Sequence, residues 1–305
     1  GVTPSQFISA RAECVPLVFV RPFAYSLAHL EAARKVGATG FLPRTTPEEC
    51  LVDDAAAHLL HTVGTRVPLS RAFHRVAKAN GVSLPQGLFA GLTADLNLIA
   101  SAPYLLPRWL EMPDGHQVVG PVYANLPGEV PEFVTDLAAG PKPLVYFAVG
   151  SSGNRDLVLD VLRGLGRADC QVLAPVRSHL HQEDLKTLPL NIHVTDWIPA
   201  HQLGEAVDLA ITHGGEGTVQ TSCVQGWPFI GIPLQLEQRF NVQRCVAFGS
   251  ARLISQKEAH RADWAALVRE SLADDGMRSR AQRMAELMKG LDGPGQAAAA
   301  ICELL

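Results

Sequence analysis

The sequence holds no apolar run approaching the roughly 20 residues that a membrane-crossing helix needs. Its first residues, GVTPSQFISARAE, lack the basic-then-apolar layout of a signal peptide. The six cysteines, at 14, 50, 170, 223, 245 and 302, include no CxxC pair, so they read as reduced thiols of a cytoplasmic protein. Positive charge is not in excess either. A net charge of −4 argues against nucleic acid or an anionic membrane as partner. Histidines crowd only twice, as His58 with His61 and as His179 and His181 with Glu183. Neither group has a third or fourth ligand at a recognisable metal spacing, so exposed or capping histidines are the better reading. No repeat or low-complexity tract is present.

What the chain does have is length and alternation. Its 305 residues, 47% of them apolar and 18% charged, suffice for about two domains with a core each. In the first, residues 1–123, VPLVFV (15–20), LNLIASAPYLLP (96–107) and HQVVGPVY (116–123) read as strands. RPFAYSLAHLEAARKVG between the first two reads as irregular, and the stretch from about Pro47 to Asn80 as mainly helical. Residues 124–143 are dense in Pro and Gly and read as a linker. Residues 144–305 form the second domain, in which LVYFAVG, CQVLAPV, IHVTDWI, DLAIT and PFIGIPL are short apolar strands, several of them separated by helices. RESLADDGMRSRAQRMAELMKG reads as one surface helix, and GQAAAAICELL as a terminal helix. The fold class is therefore α/β, with a parallel sheet covered on both faces and a ligand site at the C-terminal strand ends.

Four loops stand at those ends: GSSGN (150–154), DWIPAHQ (196–202), THGGEGT (212–218) and PLQLEQRFN (233–241). The third puts its glycines between a strand and the helix that Gly226 and Pro228 stop. Glycines there permit a tight turn and leave helix N–H groups open to an anion. Together the loops supply hydroxyls, an indole, an imidazole and an acid–amide pair, an inventory suited to a nucleoside diphosphate joined to a polyhydroxylated group. Trp197 can stack on a base, Thr218 and backbone N–H groups can take phosphate, and Glu237 with Gln238 can bond hydroxyls. Each residue also has a plain structural alternative: a satisfied histidine at 213, a core aromatic at 197, a solvated loop at 237–238.

Spacing decides between them. After DWIP, HGGEGT begins 16 residues beyond Trp197, followed by GWP, IPL, EQ and Asn241. This order resembles the donor-binding signature of UDP-glycosyltransferases, specifically the bacterial macrolide and flavonoid type with the GT-B fold. The resemblance is dense over 144–245 and looser across nearly all the rest. It implies two Rossmann-like domains, the N-terminal one incomplete because VPLVFV resembles a middle strand of that domain. It implies that Trp197 stacks on uracil and that His213 bonds the diphosphate, with Ser151, Gly215, Gly217 and Thr218 around it. Glu237 and Gln238 would hold the sugar. The implied reaction moves a sugar from a UDP-sugar, or a dTDP-sugar, to a hydroxyl of a small hydrophobic acceptor. Neither cofactor nor metal is implied, and the donor loops contain no Asp-x-Asp pair.

The family's acceptor-deprotonating histidine belongs to a first strand and loop that this sequence does not match. His29, in AYSLAHLEAA, is the histidine nearest a strand end, but its surroundings do not resemble that motif, so the catalytic base is unassigned. The alternative is a nucleotide-sugar-binding module without catalysis, needing a complementing N-terminal piece. An uncovered N-terminal sheet would bury itself against that piece or a second copy of the chain. Epimerisation on the same fold fits the W-x-P to E-Q pattern less well.

Overall fold

A computed structural model describes residues 3–24, 26–36, 47–106, 109–122 and 127–304, with the side chains of Val36 and Glu49 excepted. It divides into two compact units: residues 1–122 with 291–305, and residues 123–290.

The first unit is built on three parallel strands, β1 (Val18–Arg21), β2 (Leu96–Ile99) and β3 (His116–Val118), in that order. Val18 stands beside Leu96, and Asn97 beside His116. Among the described residues four helices, Leu27–Val36, Pro47–Arg66, Arg71–Ala79 and the short Leu88–Gly91, lie between β1 and β2 in sequence. The first of them occupies the stretch read as irregular. Pro22 obscures its beginning, but ten residues from Leu27 sustain helical geometry and bury Ala28, His29, Leu30, Ala32 and Ala33.

Two boundaries differ from the sequence reading. The terminal helix, Gly293–Leu304, belongs to the first unit rather than the second. Its Ala297 and Ala300 pack with Leu98 and Val119, supplying the cover that β2 and β3 need. The proline-rich linker contains a helix, Glu132–Ala139, which buries Val134 and falls in the second unit. Linker residues 124–126 lie outside the described residues.

The second unit carries six parallel strands: β4 (Leu144–Ala148), β5 (Gln171–Ala174), β6 (Ile192–Val194), β7 (Leu209–Thr212), β8 (Phe229–Gly231) and β9 (Ala251–Leu253). Their spatial order is β6-β5-β4-β7-β8-β9. Strands β4 and β7 are buried at every position, which is why they read as unbroken apolar runs. Strand β9, with Arg252 at its centre, is too short to leave such a signal. The helix Arg155–Leu165 covers the sheet, capped by the Asn154 side chain, which accepts from the Leu157 N–H at 2.9 Å. What read as one surface helix is two, Trp264–Leu272 and Asp275–Met288. Asp274 breaks the run by capping the second, accepting from the Met277 N–H at 2.9 Å.

His29 is 2% exposed beside Phe23, and loss of hydration pushes its pKa from 6.5 down to about 4. Between those values the unfolded chain binds the proton that the folded chain refuses. The contribution is therefore complete above pH 6.5 and is lost as pH falls toward 4, about 3 kcal/mol in all. A His29→Gln variant is expected to show a shallower loss of stability than the parent between pH 7 and 4.5 in urea unfolding. Equal slopes would place the acid sensitivity elsewhere.

Candidate functional site

Sheet order reverses between β4 and β7, because the chain winds outward from β4 through β5 to β6 and then returns to the other side. Loops leaving two such neighbours part in opposite directions, and a crevice opens at their C-terminal ends. A cavity of about 610 Å³ lies there, lined by the loops after β4, β5 and β6 and by the first turns of the helix Glu216–Gln225 that follows β7. Its walls include Ser151, Trp197, Gly217 and Thr218. The structure brings these four residues together around one cavity.

His213 stands immediately behind them. It is 7% exposed, and the edge of its ring touches two backbones. A Cβ on Gly150 would lie 2.9 Å from Cε1, and one on Gly215 would lie 2.6 Å from Nε2. Only glycine lets both segments approach the imidazole this closely, and Gly150, at φ 52, also adopts a conformation that side chains disfavour. Burial pushes the His213 pKa below its ordinary value, with the Ala148 carbonyl acting more weakly the other way. The ring is therefore neutral near pH 7 and presents an N–H dipole rather than a cation.

The helix Glu216–Gln225 begins with Gly215 as its cap, so no side-chain oxygen competes for the first N–H groups. The Glu216 N–H is the exception, bonded by the Glu237 carboxylate. Gly217 and Thr218 face the cavity with the positive end of the helix dipole behind them.

Glu237 and Gln238 are placed differently, on the first turn of the helix Leu236–Phe248, and neither lines the cavity. Glu237 accepts from Asn241 Nδ2 at 2.5 Å, and burial raises its pKa. Gln238 is buried: its Oε1 accepts from the Leu234 and Gln235 N–H groups at 2.9 and 3.2 Å, and its Nε2 donates to Ser152 Oγ at 3.1 Å. In this arrangement Gln238 ties its helix to the loop after β4.

Arg177 and His179 are among the wall residues that escaped the sequence reading. Both follow β5, and His179 Nε2 lies 2.7 Å from the Gly150 carbonyl, bracing the loop that backs His213. The crowding of His179, His181 and Glu183 marked the segment, but spacing alone pointed to exposed or capping roles. His181 does cap: its N–H donates to Asp184 Oδ2 at 2.8 Å at the start of a short helix. No helix among the described residues is long and apolar enough to cross a membrane.

Residues 159–304 match the family described as erythromycin biosynthesis protein CIII-like, C-terminal domain. The chain is 29% identical over 192 residues to the PGL/p-HBAD biosynthesis glycosyltransferase of Mycobacterium tuberculosis (strain ATCC 25177 / H37Ra), covering 63% of this chain and 44% of that protein. It is 30% identical over 219 residues to 4'-demethylrebeccamycin synthase of Lentzea aerocolonigenes, covering 67% of this chain and 49% of that one. The chain thus spans just under half the length of these relatives. The crystal structure of the glycosyltransferase VinC in complex with dTDP superimposes with a TM-score of 0.63 at 17% identity, over 95% of this chain and 66% of that one. The fold is α/β with parallel sheets, as in GT-B glycosyltransferases.

Proposed function

We propose that this chain, whose residues 159–304 match the EryCIII-like C-terminal domain family, carries the nucleotide-sugar site of a glycosyltransferase. The observation that carries the reading is the crevice at the β4–β7 reversal, where Ser151, Trp197, Gly217 and Thr218 share one wall system and His213 is wedged behind Gly150 and Gly215. A UDP-sugar fits this inventory, and a dTDP-sugar fits it nearly as well, since VinC was crystallised with dTDP. The nucleobase stacks on Trp197, and the diphosphate lies at the start of the helix Glu216–Gln225. As the sugar leaves, negative charge grows on the diphosphate, and fixed N–H donors stabilise it without rearranging. The Ser151 hydroxyl and the neutral imidazole of His213 complete the donor set.

A Trp197→Ala variant is expected to bind UDP and free uridine about 10-fold more weakly, by a similar factor for each, since base–aromatic stacking is worth about 1–3 kcal/mol. Calorimetry with both ligands checks this, and unchanged uridine affinity would remove Trp197 from the base site. The reading is also metal-independent, because helix N–H groups and an imidazole take the role of a cation. UDP affinity in excess EDTA is expected to equal that in Mg²⁺. A collapse with chelator would mean that the anion site is elsewhere.

The acceptor is a hydroxyl on a small hydrophobic molecule. Deprotonation by a placed base contributes about 10²–10⁴-fold to such a step. His29 is unsuited to it, being buried with its pKa near 4. That burial favours a second reading, in which the chain is a nucleotide-sugar-binding module without catalysis. A second copy of the chain belongs to either reading. Leu51, Val52 and Leu59, exposed on the helix Pro47–Arg66, support it. Turnover assays with UDP-glucose and phenolic or macrolide acceptors separate transfer from binding alone.

A further inference from the structure

Trp197 is 54% exposed, yet a stacking platform must hold its ring at one angle. The indole follows β6 by only three residues, on a loop whose next element is a short 3₁₀ turn, Ala200–Gln202. Such a loop does little by itself to fix a side chain. The restraint comes from a distant part of the chain. A Cβ built on Gly128 would lie 2.7 Å from Cζ3 and 3.3 Å from Cη2 of Trp197, with Pro199 Cγ at 3.7 Å. Those two atoms form the outer edge of the six-membered ring, so Gly128 abuts the rim of the indole. This contact limits the swing of the ring without occupying its stacking surface. Gln202 fixes the strand of chain that makes the contact, donating from Nε2 to the Gly128 carbonyl at 3.0 Å.

We propose that Gly128 and Gln202 are positioning residues for the nucleobase: the segment Pro127–Val130 forms an edge stop that sets the angle of Trp197, and Gln202 holds the stop in place. The inference rests on the reading of Trp197 as the base platform. Glycine is required at 128 for room rather than for backbone conformation, since any side chain there must displace the ring or the segment. Either displacement tilts the platform. Stacking depends on a near-parallel approach at van der Waals distance, so a tilt removes base contacts and leaves the phosphate contacts at the other end of the cavity as they were.

The experiment compares the parent chain with Gly128→Val, Gln202→Ala and Trp197→Ala, using UDP and inorganic pyrophosphate as ligands and indole fluorescence as a second readout. Gly128→Val is expected to weaken UDP about 5-fold or more, Gln202→Ala by a smaller factor, and neither to change pyrophosphate affinity. Both variants are expected to reduce the quenching of indole emission by saturating UDP, with thermal midpoints close to the parent's. Residue 128 is exposed, so unfolding is not expected to intervene. If Trp197→Ala weakens UDP while Gly128→Val binds it within 2-fold of the parent with full quenching, the edge stop is overturned and the platform stands. If Trp197→Ala leaves UDP affinity unchanged, the base-site reading fails and the positioning role fails with it. Equal weakening of UDP and pyrophosphate by Gly128→Val would show general damage and also overturn the proposal.

Discussion

A His213→Ala substitution is expected to weaken UDP at least 10-fold while changing uridine affinity little. The imidazole sits where three constraints meet: the tight turn after β4, the cap of the helix Glu216–Gln225, and the buried end of β7. A hydrogen bond from a fixed N–H to an ionised phosphate is worth about 1.5–3 kcal/mol, which is the source of the expected factor. Free uridine has no diphosphate and so does not report the loss. Because Gly150 and Gly215 both lean on the ring, the alanine variant also opens a space between them, and a Gly150→Ala variant errs in the opposite direction by pushing the ring. Both should lose UDP selectively, by calorimetry with the two ligands side by side. Parallel losses of UDP and uridine would indicate collapse of the cavity rather than loss of a phosphate contact.

Trp264→Ala is expected to be the most damaging single change outside the site, at about 3–5 kcal/mol. The indole is 2% exposed, its Nε1 donates to the Ala259 carbonyl at 3.0 Å, and its ring lies directly against Gly164. It thereby joins the helix Trp264–Leu272 to the helix Arg155–Leu165, the element that covers the apolar face of β4 and β5. No neighbour can refill that volume, because the opposite wall is a glycine with no side chain to move. For a unit of this size the expected fall in thermal midpoint is on the order of 10 °C, measurable by calorimetry. A shift of only a few degrees would show that the helices close over the gap.

Much of this arrangement can be read from residue order, and the reasons differ from place to place. Strands β4 and β7 announce themselves because burial on both faces forces continuous apolar runs. The turn after β7 is equally legible, since two glycines between a strand and a helix, with a third in the first helical turn, have few other uses. The helix Leu27–Val36 was harder, as its mixed residues follow a proline and bury one face made largely of alanine. Arg177 and His179 were not legible as cavity residues, because their placement depends on β5 lying beside β4, a pairing across some thirty residues. Gln238 illustrates a different limit. Its type and position suggest a polar ligand contact, but whether an amide points at a ligand or at its own helix cap is decided by neighbours such as Ser152, which lies 86 positions away.

The terminal helix carries a consequence for synthesis. Unit two is continuous from 123 to 290, whereas unit one is completed only by residues 291–305. Domains emerging from a ribosome ordinarily fold in the order in which they are translated. Here the order is inverted: Leu98 and Val119 lack Ala297 and Ala300 until the whole of unit two has been translated after them. A stop codon shortly before Gly293 would therefore injure unit one, whose other residues precede unit two, and spare unit two itself.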